Sequence, residues 1–194
     1  VQTTTRRDRA FVDNVLVEDT FDFYAQDTVG NVWYFGEDVT NYRYDDAGNL
    51  IGTDSESAWR ADVNGALPGF IMPADLTLGF NYFQESAPAD DALDEGTTFS
   101  IEQLISIGFG DYSNVLKVLE TSELIPDLRE FKYYAPGQGL ILVEEGLSAD
   151  LTNPTGRLEL VSEVPLPATL TLMIVGLAGL LRSRPREIYL GFPR

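Results

Sequence analysis

One loop pattern occurs twice. Asp27-Thr28-Val29-Gly30-Asn31-Val32 and Asp45-Asp46-Ala47-Gly48-Asn49-Leu50 both read Asp-x-x-Gly-Asn-apolar, eighteen residues apart. Each joins an Asp side chain, which can accept from nearby backbone N–H groups, to a glycine that reaches positive φ without a steric penalty. Such loops commit the chain to hairpins. Their spacing predicts a meander of strands roughly seven residues long. The flanking runs agree, because residues 20–25 and 31–35 are aromatic and β-branched. Asp13-Asn14 between the apolar-rich residues 11–12 and 15–17 predicts a two-residue hairpin turn.

Further along, residues 66–73 are a Pro/Gly-punctuated crossing and residues 78–85 alternate as a strand does. Residues 86–96 read as an acidic loop, and 97–107 fit either a strand or one short helix. Residues 114–120, 129–134 and 140–144 predict three more strands, the last two joined by the turn Ala135-Pro136-Gly137-Gln138-Gly139. No amphipathic helical run longer than ten residues precedes position 164. The expected fold is all-β: an antiparallel meander, as a curved sheet or half-barrel, followed by one C-terminal hydrophobic helix. The boundary is drawn between an acidic β domain at 1–160 and a distinct tail at 161–194.

Several chemistries are excluded by residue type. The chain has no Cys and no His, which removes thiol nucleophiles, Ser-His-Asp triads, imidazole or thiolate zinc sites and haem ligation by those groups. A net charge of −18 repels phosphate backbones, so nucleic acid is not an expected partner. Neither Lys117 nor Lys132 stands at a Ser-x-x-Lys spacing, and no G-x-G-x-x-G loop is present.

Charge and hydropathy change together near the C-terminus. Residues 1–163 carry 9 basic and 30 acidic side chains, whereas 164–194 carry 4 Arg and 1 Glu. Residues 167–181, PATLTLMIVGLAGLL, hold no charge, and Arg182, Arg184 and Arg186 follow at once. As a helix this run spans roughly 22 Å against a hydrocarbon core of about 30 Å, and the abrupt Arg cluster is the positive flank of a membrane segment. A plain apolar helix docked on the domain is the simpler alternative. The order of Val164-Pro165-Leu166-Pro167-Ala168, the apolar run 168–181 and the Arg cluster 182–186 resembles the VPLPA variety of the PEP-CTERM sorting signal. That resemblance implies recognition by an exosortase, a membrane-held intermediate, removal of the tail and delivery to the cell surface or extracellular matrix. The chain would then be the substrate of a processing enzyme and no enzyme itself. The prolines keep the motif extended, since neither donates a backbone hydrogen bond. Residues 187–194 continue beyond the usual end of such signals. Export also needs a secretory leader, and the opening VQTTTRRDRA is none, so a preceding segment is expected.

The body carries two weaker likenesses. Tyr44-Asp45-Asp46-Ala47-Gly48-Asn49-Leu50 resembles one unit of a YD-repeat, read as hairpin chemistry. NVWYFGED at 31–38, ALPGFIMPAD at 66–75 and KYYAPGQGLIL at 132–142 resemble an uncharacterised family of secreted bacterial β-proteins. That likeness implies an extracytoplasmic antiparallel β unit and no known activity.

Candidate sites in the body are weighed against plainer roles. Asp90, Asp91, Asp94 and Glu95 form an oxygen-rich stretch suited to weakly bound calcium, or simply a solvated acidic loop. No other cofactor is expected. Glu85, Glu102, Glu144 and Glu145 are conceivable members of a hydrolytic carboxyl pair, although some pair among 31 acids will always lie close. Trp33, Tyr34, Trp59 and Tyr133 suit a sugar-stacking platform or ordinary packing. Arg6, Arg7 and Arg9 read as a guarded strand edge. The first functional expectation is a non-catalytic exported protein whose acidity holds cations within an exopolysaccharide matrix. The second is an extracytoplasmic β-sheet binding module for an apolar or carbohydrate ligand. An acid-based hydrolase is the third. A filled sheet interior, an apolar pocket and converging carboxyls, respectively, discriminate them.

Overall fold

The computed structural model describes residues 1–165 and 186–191. In it the two like loops have the same chemistry. Asp27 Oδ1 accepts from the backbone N–H groups of Val29, Gly30 and Asn31, and Asp45 Oδ1 accepts from Ala47 and Asn49. Gly30 and Gly48 have φ of 103° and 81°, the left-handed region these loops require. Asp13 and Asn14 have φ of 51° and 65°, the signature of the expected two-residue hairpin turn.

The strands in chain order are β1 (Thr4–Val12), β2 (Val15–Gln26), β3 (Val32–Tyr44), β4 (Leu50–Asp54), β5 (Trp59–Arg60), β6 (Leu67–Met72) and β7 (Asn81–Phe83). They continue as β8 (Glu85–Ser86), β9 (Asp94–Ile107), β10 (Gly110–Ser122), β11 (Arg129–Ala135), β12 (Gly139–Glu145), β13 (Gly156–Pro165) and β14 (Arg186–Gly191). A single 3₁₀ turn at Pro88–Asp90 is the only helical element among the described residues. The all-β expectation therefore holds. The strand length does not: the two like loops bound one strand of 13 residues, and β2, β9 and β10 have 12, 14 and 13. Residues 97–107, equally open to helix and strand in the sequence, belong to β9. Part of the expected acidic loop is strand, since β8 ends at Ser86 and β9 begins at Asp94.

The sheet runs β7-β9-β10-β11-β12-β13-β14-β1-β2-β3-β6-β8, with β4 and β5 also paired to β3. Its ends are one piece of chain. β7 pairs with β9 and β8 pairs with β6, and only Gln84, whose N–H donates to Asp94 O at 2.8 Å, lies between them. The sheet thus meets itself across residues 81–86, a step beyond an open half-barrel. Pairing is antiparallel except between β1 and β14, where Arg7 stands opposite Glu187. Strand β13 runs past the boundary drawn at 160 and pairs Pro165 with Arg186. The helix expected at 168–181 lies outside the described residues.

Much of the apolar packing lies on the outer side of this ring. Phe131 and Tyr133 alternate with Glu130, Lys132 and Tyr134, so the two sets occupy opposite faces of β11. Phe131 and Tyr133 are nevertheless buried, in a cluster with Val115, Ile141 and Leu142. The far half of the β9–β10 hairpin folds over them. Register shifts between Tyr112 and Val115, with Asn114 at φ 55°, bend it, and Ile105, Ile107 and Tyr112 pack on the cluster. Gly108 N–H donates to Glu159 Oε2 at 3.1 Å and pins the tip to β13.

Candidate functional site

The other face of the ring encloses a cavity of about 660 Å³. Period-two alternation sets its lining: Arg6 and Asp8 from β1, Glu18, Thr20, Asp22 and Tyr24 from β2, and Glu130, Lys132 and Tyr134 from β11 all point inward. Glu37, Gln84, Glu85, Asp94, Glu120 and Glu145 join them. The sheet interior is not filled with apolar side chains.

Strand register places like charges face to face. Asp22 stands directly opposite Glu37 on β3, and Glu120 on β10 directly opposite Glu130 on β11. Such pairs weaken a sheet unless protons or cations intervene. At the first pair, Tyr34 Oη lies 2.7 Å from Asp22 Oδ1 and 2.9 Å from Glu37 Oε2. A phenol has one proton to donate. Satisfying both contacts requires one carboxyl to be protonated and to donate to the phenol oxygen. At the second pair, Lys132 Nζ lies 2.6 Å from Glu120 Oε1 and 3.7 Å from Glu130 Oε1.

The protonation directions follow from this burial. Burial, then the neighbouring Asp8 charge, pushes Asp22 up to about 7. Burial, then Asp94, pushes Glu85 up to about 7. Burial raises Glu37 well above the usual carboxylate range, with Glu85 and Asp22 adding to it. Burial also raises Glu120, against the pull of Lys132. Burial acts to lower Lys132, but Glu120 and Glu130 outweigh it and keep the ammonium charged.

Gln84 differs in kind. It is 1 % exposed, lines the cavity, and neither its amide nitrogen nor its amide oxygen has a partner among the described residues. Buried amides left in this state are rare in folded proteins. Arg6 is similar in part: its Nε donates to Asp8 at 2.9 Å, while its buried Nη2 has no partner among the described residues.

The residues singled out in the sequence are scattered. Of the four calcium candidates, Asp91 and Asp94 line the cavity, whereas Asp90 accepts from Asn64 and Glu95 from Asn81. No group of three or more such ligands among the described residues could hold a metal ion. Of the hydrolytic candidates, Glu85 and Glu145 share the cavity; Glu102 is exposed on the β9–β10 hairpin, and Glu144 accepts from Tyr133 at 2.6 Å and pairs with Arg157. The aromatic platform is not assembled. Tyr34 and Trp59 are buried edge to face at 5.3 Å, and Trp33 packs on Phe70 while its indole N–H donates to Asp27. Arg7 forms a two-pronged pair with Asp19 on the outer face. In the tail, Val164 and Pro165 end β13 and Arg186 begins β14. Leu166, Pro167, Ala168, Arg182 and Arg184 lie outside the described residues. Asp22, Glu37, Glu120 and Gln84 escaped the sequence reading. Their signal was the polar half of an alternating strand, which ordinarily marks the solvent face.

Comparison with protein-family models, with curated proteins and with solved structures finds no match. Among the described residues no helix is long and apolar enough to cross a membrane.

Proposed function

We propose that this chain is an exported, non-catalytic binding protein, whose barrel takes a small polar ligand into its lumen. The observation that carries this reading is the cavity of about 660 Å³ lined by carboxyls, phenols and an unpartnered amide. Its size is that of a small-molecule site. Apolar side chains such as Val17, Ile71, Met72, Leu140 and Leu158 line it as well, so a suitable occupant joins an apolar body to polar groups, because hydrocarbon alone would leave the carboxyls and the amide unpaired. Delivery to the surface or matrix would follow from Val164, Pro165, Leu166, Pro167 and Ala168 as the exosortase motif, with 168–181 in the membrane and Arg182, Arg184 and Arg186 on the cytoplasmic side.

The two halves of this proposal constrain each other. Pro165 and Arg186 are strand partners in the ring. A span through about 30 Å of hydrocarbon would hold them on opposite sides of the membrane. The anchored intermediate therefore lacks β14 in its ring, and β1 and β13 are left with open edges. Intact-mass measurement of the protein, given a secretion signal, in cells with and without an exosortase tests delivery. Loss of the tail from near Val164 only with the enzyme supports it; an unchanged soluble protein overturns it. Ligand screening by thermal shift tests the lumen. Turnover of a glycoside or ester would replace binding with acid-based catalysis.

A further inference from the structure

We infer that the lumen binds an organic cation with two or more amino groups, its ammonium ends against the carboxyls that hold no cation of the protein's own, Asp22, Glu37 and Glu85, and its middle against the Gln84 amide. This inference rests on the reading of the barrel as a binding module and names the class of its ligand.

Charge comes first. Ten carboxyl groups line the cavity against two cationic side chains, Arg6 and Lys132. Both cations are already engaged, Arg6 with Asp8 and Lys132 with Glu120 and Glu130. Asp22, Glu37 and Glu85 form no ion pair among the described residues. The protein's own cationic side chains thus leave this excess to protons or to a cation from outside. A proton held with Tyr34 relieves the Asp22–Glu37 pair, and an ammonium group of the ligand at these oxygens would take that proton's place.

Gln84 is the independent observation. An amide buried to 1 % exposure with both ends unpaired points into the same cavity. It offers an acceptor and donors to a polar occupant and nothing to an apolar one. Gly96 keeps the space for it, since a Cβ there would lie about 3.0 Å from the Gln84 amide carbon. Spacing of the charge then decides the ligand's form. A single metal ion needs several oxygens around one point, and no three carboxylates among the described residues provide that. Acids distributed along the wall of a cavity this large match several separated ammonium groups, which are strong donors to carboxylates. Aliphatic polyamines and short oligomers of amino sugars both carry that chemistry.

The test is calorimetric titration of the full chain, in mild nonionic detergent, with spermidine, the β-1,4-linked disaccharide of glucosamine, the neutral analogues 1,4-butanediol and cellobiose, and calcium chloride. The expected result is binding of an amine with at least tenfold preference over its neutral analogue. Spermidine favoured over the glucosamine disaccharide identifies the aliphatic source, and the reverse identifies the sugar. Asp22→Asn and Glu85→Gln should each weaken the amine at least tenfold while raising the melting temperature at pH 8. A residue with only a structural role would lower it. Gln84→Leu, at nearly constant volume, should also weaken it. Equal or tighter binding of cellobiose overturns the cationic ligand and leaves the binding module standing. Calcium binding that resists both carboxyl variants also overturns it. No heat from any compound, with all variants folded, overturns the binding module as well.

Discussion

A carboxyl inside this barrel and a carboxyl in one of its loops respond to pH in opposite senses. Asp22 and Glu85, held up near 7 by burial and then by Asp8 and Asp94, keep a proton in the folded state where the unfolded chain has lost it. Their contribution to stability is complete below pH ~4 and is lost as pH rises through 7, on the order of a few kcal/mol together. Melting temperature should therefore fall between pH 5 and 8.5, by circular dichroism, and the double variant Asp22→Asn/Glu85→Gln should flatten that slope. Asp27 and Asp54 work at the other end. Hydrogen bonds from Asn31 and Trp33 lower Asp27 to about 2, and those from Arg43 and Asn41 lower Asp54 to about 2. What they contribute is present above pH ~4 and is lost as pH falls through 2. The two like loops also differ in one residue's reach. Asp27 accepts from the Trp33 indole at 2.9 Å, and Asp45 has no such aromatic donor, so Asp27→Ala should lower the melting temperature more than Asp45→Ala.

At the scale of elements, local chemistry was legible and long-range geometry was not. Asp13-Asn14, Gly30 and Gly48 announced their turns because a left-handed backbone restricts residue choice at that very position. Strand length was misjudged in β3 because Gly36, at φ 115°, looks like a turn residue yet lies within the strand, where β5 crosses close to it and Arg60 pairs with it. The lumen was hidden for another reason. Alternation in Thr20-Phe21-Asp22-Phe23-Tyr24 separates two faces without saying which is enclosed, and only closure on residues 81–86 puts the polar face inside. That closure depends on Gly69 in β6. A Cβ there would strike the backbone oxygens of Gln84 and Phe83. Gly69→Ala should cost about 1–3 kcal/mol or more in chemical denaturation, whereas Gly52→Ala in β4, with no heavy atom within 4 Å of its Cβ, should be close to neutral.

For the whole molecule, the ring has two seams of different kind. One, at residues 81–86, joins strands near in sequence. The other, β13-β14-β1, brings Arg7 beside Glu187. Removal of residues 186–194 should lower amide-exchange protection in β1 and β13 and leave β2, β3, β10 and β11 protected, as read by deuterium uptake. Uniform loss across all strands would mean instead that the ring is one cooperative unit. The distance along the chain between those partners also sets an order of events. Hairpins such as β1–β2 and β10–β11 close short loops and form early, while a pairing that spans nearly the whole chain must wait for everything between to be in place. The terminal seam is thus the last to close. During that interval Val164 and Pro165 stand on an edge without β14, and the processing enzyme proposed for this tail would compete for them against the final step of folding and not against the finished barrel.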